Sequence, residues 1–526
     1  MVIVPVALPL AAACLYALFG WNRVTEWLGV LSAGGLLAAA VPLARAGEGS
    51  GLWGLLRVDA LSAYMLVVIG VVALLAMLAS PGYLRAEAAA GHTGPRAARS
   101  YGIFTQCFVA AMATAVLAAS LGMLWVAVEA TTILTAFLVG YRRTRKATEA
   151  AWKYVVICSV GIALALLGLV MVHYAAVHAG LSSREGLDWV SLAEHAGRLD
   201  PGVTRIAVVL LVLGFGAKAG LAPLHAWLPD AHSQAPAPVS ALMSGVLLSV
   251  AFYAILRVKV VSDVALGAGF CRMLLIVVAL ASLAVAAALL IGQRDFKRML
   301  AYSSIEHMGL IALGAAIGNG LALGAVLLHI LGHGLGKSVL FIGSGRIQQA
   351  AGSSSVEAVR GLGGRAPGLA AAFGLGLLAL LGLPPFSLFA SELGIVRAGF
   401  AAGLGWAVAP ALVLMLVIVA GVGRAAGRML LGTAPPDGFS TAPPDGFSGA
   451  PPDGFSGAPP DGSGERSRGA EDGFGGRWRG AGVPLVVGLV ACAVLGVTLG
   501  PLRPLLDSAV TIATAGPPLS AMGGAR

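Results

Sequence analysis

The chain has 526 residues, of which 58% are hydrophobic and 11% charged, with a mean hydropathy of +0.89 and a net charge of +10. An ordinary soluble domain carries about a quarter charged residues, so these figures exclude a soluble enzyme and leave no room for a separate soluble domain. The positive charge sits in loops between apolar runs, where it sets topology, and does not form a nucleic-acid-binding face.

Apolar runs of about 20 residues, the length that crosses a bilayer, fall near 2–20, 24–46, 59–80, 101–119, 121–140, 152–178, 204–222, 238–257, 268–292, 297–317, 320–345, 367–392, 403–423 and 482–502. This predicts an all-α polytopic membrane protein with about fourteen transmembrane helices. The first run lacks a charged leader and is followed at once by another span, so it reads as a transmembrane helix and not as a cleaved signal. Residues 47–58 form a polar, Gly-rich connection with room for a small hairpin. Loop 141–153 carries five Lys and Arg, while loops 81–100, 293–299 and 346–366 carry three each. The positive-inside rule puts these loops in the cytoplasm and both termini outside. From Thr433 to Ser463 the sequence repeats TAPPDGFS, TAPPDGFS, GAPPDGFS, GAPPDGS. Such a tract buries too little apolar surface to fold, which predicts a disordered cytoplasmic linker over 431–480, before the last helix and tail at 481–526.

The five cysteines, Cys14, Cys107, Cys158, Cys271 and Cys492, form no CxxC pair. The sequence has no spacing for a zinc or iron–sulfur site, no GxGxxG fingerprint and no P-loop. No cofactor, metal or redox centre of its own is expected.

The informative residues are ionisable groups inside spans. The run 214–257 reads GFGAKAGLAPLHAWLPDAHSQAPAPVSALMSGVLLSVAFYAILR. Lys218 lies inside its first apolar helix, at a cost of about 2.5–3.5 kcal/mol on insertion scales. The chain then breaks at Pro223, passes His225, Asp230 and His232, and breaks again at Pro236 and Pro238. A helix broken at membrane depth must set its freed backbone against protein or a water-filled cavity. Glu129, inside the span 121–140, is the candidate partner of Lys218. The two make either a proton switch or a fixed ion pair.

In LLHILGHGLGKSVLF, His329, His333 and Lys337 recur every four residues on one helical stripe, which suits a proton relay. A histidine pair at i, i+4 can also ligate a metal, but no carboxylate follows in the same motif. Within 367–392, Pro384 and Pro385 break the helix ahead of Glu392. Two broken spans at corresponding places suggest two inverted five-helix repeats, 101–258 and 266–430, following an N-terminal part at 1–100. In span 297–317, Lys297 and Arg298 are expected to anchor at the cytoplasmic edge. Glu306 and His307 lie deeper, as a pair or as a link between the two half-paths.

These motifs, with FGAKAGLAPLHAWLPDAHSQAPAPVSALMSG, DFKRMLAYSSIEHMG and GLPPFSLFASE, resemble the antiporter-like L, M and N membrane subunits of respiratory complex I and the related Mrp-type sodium/proton antiporter subunits. WVAVEATTI, SSIEHMG and LHILGHGLGKS most resemble the F membrane component of hydrogenase-4 and formate hydrogenlyase complexes. The resemblance covers residues 55–430. It implies two inverted bundles with a broken helix each, and proton pumping driven by a peripheral redox arm held with other membrane subunits. It places the family's glutamate–lysine pair on Glu129 and Lys218, its relay on His329, His333 and Lys337, and its terminal acid on Glu392. M-type subunits carry a lysine in LLLKTGAYGLLR. The matching run here is VLLSVAFYAILR, with Ser249 in its place. An Mrp-type sodium/proton antiporter subunit is the alternative.

Overall fold

The computed structural model describes residues 1–433 and 478–515. The linker expected over 431–480 lies almost wholly outside the described residues. The helices, in chain order, are α1 Val4–Phe19, α2 Leu28–Ala46, α3 Ala60–Ala89, α4 Pro95–Leu117, α5 Leu121–Val139, α6 Arg145–His178, α7 Trp189–His195, α8 Pro201–Lys218, α9 Trp227–Gln234, α10 Ala237–Leu242, α11 Leu248–Leu266, α12 Ala268–Leu290, α13 Phe296–Ile317, α14 Gly320–Ala351, α15 Leu362–Arg365, α16 Pro367–Leu380, α17 Ser387–Ala401, α18 Gly405–Leu431, α19 Trp478–Val497 and α20 Arg503–Ala515. Between α2 and α3, β1 (Gly49–Gly51) pairs antiparallel with β2 (Leu56–Val58), so the polar connection does hold a hairpin.

Among the described residues, eleven helices are long and apolar enough to cross a membrane, or twelve if the pair bent by 65° near the C-terminal end is one span. The expected fourteen is not reached on that measure. α1 has 16 residues, and the run at 367–392 is split into α16 and α17, with the helix resuming as far as Ala401. Helix also extends into two expected loops. α3 continues past Pro81 to Ala89, and α14 continues to Ala351. These extensions are held by partners: buried Glu87 near the end of α3 takes Arg142 at 2.8 Å and Gln349 of α14 at 3.0 Å.

An apolar 18-residue stretch is wholly buried in the span formed by α10 and α11 and in α13, and 94% buried in α14, but only 28% buried in α18. Polar groups collect on these central helices, where neighbours can satisfy them. α10 passes into α11 through a π-helical turn at Met243–Leu247. The basic loops share one end of the bundle. Asp230 of α9 accepts from Arg298 at 2.7 Å and from Lys153 at 3.2 Å, and Lys297 reaches Gln348 of α14. Near the hairpin, buried Arg257 of α11 pairs with Asp59, the N-cap of α3, at 2.5 Å.

Candidate proton path

Lys218 is fully buried, but it is not in a helix interior. It is the last residue of α8, and the break begins directly after it. The carbonyl end of a helix favours a cation, so the fold meets part of the cost of burying the ammonium. Its partners are side chains that the sequence did not single out. Nζ donates to Thr132 Oγ1 at 2.9 Å and to the Tyr154 hydroxyl, and lies 4.6 Å from the centre of the Tyr154 ring. Thr132 in turn donates to Glu129 Oε2 at 3.1 Å. The expected Glu129–Lys218 pair is therefore bridged and not direct, because Thr132, three residues on along α5, occupies the gap. Tyr154 is locked by Thr135 at 2.5 Å and by Trp227 at 4.8 Å between ring centres.

This cluster depends on α6 and α8 nearly touching. A Cβ on Gly214 would meet Gly161 O and Ala165 N, both at 2.6 Å, so only glycine fits.

Beyond the break, His225 is half-buried in the turn and its Nδ1 has no partner. His232 is fully buried beside Trp227 and Phe341, with both nitrogens unpartnered. Lys297 is also buried, which corrects the expected anchor at the membrane edge. Its Nζ donates to Ser233 O at 2.9 Å and Ala235 O at 3.2 Å, the carbonyls left free where α9 ends. Arg298 is tied to Asp230.

The second cluster lies on α13, α14 and α17. Lys337 is fully buried and donates to Leu300 O at 2.7 Å and Ser303 Oγ at 2.6 Å. Glu306 is buried and makes no ion pair among the described residues. It does not pair with His307, since adjacent residues point to different sides of a helix. The partner of His307 is His329, with Nδ1 and Nε2 3.0 Å apart. His333 stands 5.2 Å from His307 between ring centres, with both nitrogens buried and unpartnered.

Ser391 fixes the proton positions. Its single hydroxyl hydrogen goes to Leu388 O at 2.9 Å, so its oxygen can only accept from His329 Nδ1–H, at 2.9 Å. His329 Nε2 is then bare and accepts from His307 Nδ1–H. Ligand atoms of His307, His329 and half-buried Glu392 all lie within 4.8 Å of one another. Glu392 rests on the second break. Gly382 has φ +62°, and a Cβ there would fall 2.1 Å from Glu392 Oε2.

The central helices also bury hydroxyl groups. Ser244, in the π-turn, meets Ser304 of α13 at 2.8 Å. Ser249 is fully buried with its Oγ unpartnered.

Comparison with known proteins agrees with this architecture. Residues 118–418 match the family described as NADH:quinone oxidoreductase/Mrp antiporter, transmembrane region. A hydrogenase-4 component F homologue of Methylacidiphilum infernorum is 39% identical over 350 residues, 65% of this chain and 72% of that one. The NADH-quinone oxidoreductase subunit N of Desulforudis audaxviator is 33% identical over 356 residues, 66% and 68% of the two chains. A chain of an archaeal membrane-bound sulfane sulfur reductase shares the fold, with a TM-score of 0.79 over 98% of this chain at 24% identity. With more than half of its length matched by the family and its central helices carrying these polar clusters, the chain belongs to the NADH:quinone oxidoreductase/Mrp antiporter transmembrane family.

Proposed function

We propose that this chain is the proton-translocating membrane subunit of a complex I-like or hydrogenase-4-type oxidoreductase. Partner subunits carry out the electron transfer that drives it. One observation carries the reading: two clusters of buried ionisable side chains, each placed against a broken helix. Buried charges of this kind mark ion pathways, and a break supplies the free backbone that holds water beside them.

Protons enter from the cytoplasmic end at Lys218 and pass by way of Ser244, Ser249 and Ser304. They then run through His307, His333 and His329 to Glu392 and leave on the far side. Glu129 acts on Lys218 through Thr132, so a change of charge at Glu129 alters the hold on the lysine proton. His225 and His232 line the first break. Residues 101–258 and 266–430 act as the two half-path units. The end of the bundle that gathers the basic loops faces the cytoplasm, with both termini outside.

The test is recovery of the tagged protein with its partners from detergent-solubilised membranes. A hydrogenase-like or quinone-reductase arm in the eluate supports redox-driven pumping. Recovery with small membrane subunits alone, and sodium-dependent exchange, would replace this reading with an Mrp-type antiporter.

A further inference from the structure

We propose that His307, His329 and Glu392 form a binding site for a divalent transition-metal ion of the zinc type, and that the bound ion closes the proton path. The inference rests on the path described above. Its basis is the donor set. Two imidazole nitrogens and a carboxylate oxygen, drawn from α13, α14 and α17, all approach within 4.8 Å of one another. Two histidines and one glutamate make a known three-ligand set for zinc, with metal–ligand bonds of about 2.0–2.2 Å and a fourth position left open. In a tetrahedral site that bond length spaces the ligand atoms by about 3.3 Å. The imidazole nitrogens, 3.0 Å apart, need to open by only a few tenths of an ångström, while the carboxylate closes in.

Two features lift this above a chance cluster. A metal-binding imidazole donates its other N–H to a fixed acceptor, which sets the tautomer. Ser391 does this for His329, leaving Nε2 bare and aimed into the site. His307 Nε2 is buried without a partner. The second feature is His333, whose ring centre lies 5.2 Å from that of His307 and which is fully buried with neither nitrogen partnered. The proton balance is simple. The one proton between the imidazoles leaves His307 Nδ1 and returns on Nε2, so the ring stays neutral and Nδ1 ligates. A proton held by Glu392 is released to solvent. With the ion bound, neither Nδ1 of His307 nor Nε2 of His329 can carry a proton onward.

The experiment uses zinc itself, titrated into the purified full-length protein in detergent. It is read by calorimetry and by zinc-edge X-ray absorption, with magnesium as the comparison ion. One zinc per chain is expected, with nitrogen and oxygen neighbours only. Glu392→Gln and His329→Gln should weaken binding at least tenfold, and Ser391→Ala by about 10–100-fold as the loss of a supporting partner. His178→Gln, on an exposed histidine at the end of α6, should bind as the native protein does. Each variant is compared only if it elutes as a single species of native size. Zinc binding that is absent, or unchanged in both Glu392→Gln and His329→Gln, overturns the site. Continued pumping by the zinc-loaded complex overturns the closure. Binding is read without transport, so normal pumping by Glu392→Gln would count against the path and leave the metal site standing.

Discussion

At the scale of single residues, Thr132 bridges Glu129 and Lys218. It is fully buried, donates to the carboxylate and accepts from the ammonium. Thr132→Val keeps the shape and removes both bonds. Side-chain hydrogen bonds inside a membrane protein are worth about 0.6 kcal/mol each on average, so losing two should lower pumping severalfold, with the amount of inserted protein unchanged. A native rate in Thr132→Val vesicles would show that Glu129 and Lys218 work independently. Gly382 is the matching residue at the second break. Gly382→Ala sets a methyl against the Glu392 carboxylate at a position with positive φ. The carboxylate is the flexible partner and moves away, so site-dependent zinc binding and pumping should both decline. Retention of both would mean that the carboxylate does not need its seat on Gly382.

At the scale of elements, close approach and buried pairing hold the clusters in place. Gly214→Leu would force α8 away from α6, an overpacking cost of about 1–3 kcal/mol, and would carry Tyr154 away from Lys218. The detergent-solubilised variant should melt at a lower temperature than the native protein. An unchanged melting curve would show that the interface has slack that the fold does not display. Asp59→Asn leaves Arg257 buried without its anion, which typically costs about 3–5 kcal/mol. It should loosen α3 from α11, seen as faster proteolysis. Equal protease resistance would mean that Tyr253 alone satisfies the guanidinium.

The sequence carried the all-helical membrane-spanning character, though not the count of spans, together with both breaks, the hairpin and every histidine of the second cluster, because hydropathy and residue spacing are local signals. It did not carry Thr132, Tyr154 or Ser391. These are ordinary residues whose role appears only when helices far apart in the chain meet. For the same reason the carboxylate missing from the His329–His333 motif comes from α17, some sixty residues on. Lys297 was misplaced because a lysine near a helix start looks alike in sequence whether it snorkels outward or turns inward onto the carbonyls of Ser233 and Ala235.

At the scale of the whole molecule, the peripheral helices present apolar side chains outward while α11, α13 and α14 form a polar-cored centre. Basic loops gather at one end and are locked there by Glu87 and Asp230. A path that crosses such a centre needs both of its ends. The most direct test is proton uptake into inverted membrane vesicles driven by the intact complex, measured for the native chain, Lys218→Ala and Glu392→Gln at matched levels of inserted protein. The account predicts that electron transfer persists in both variants while proton uptake is lost. Uptake at the native rate in Lys218→Ala would contradict it.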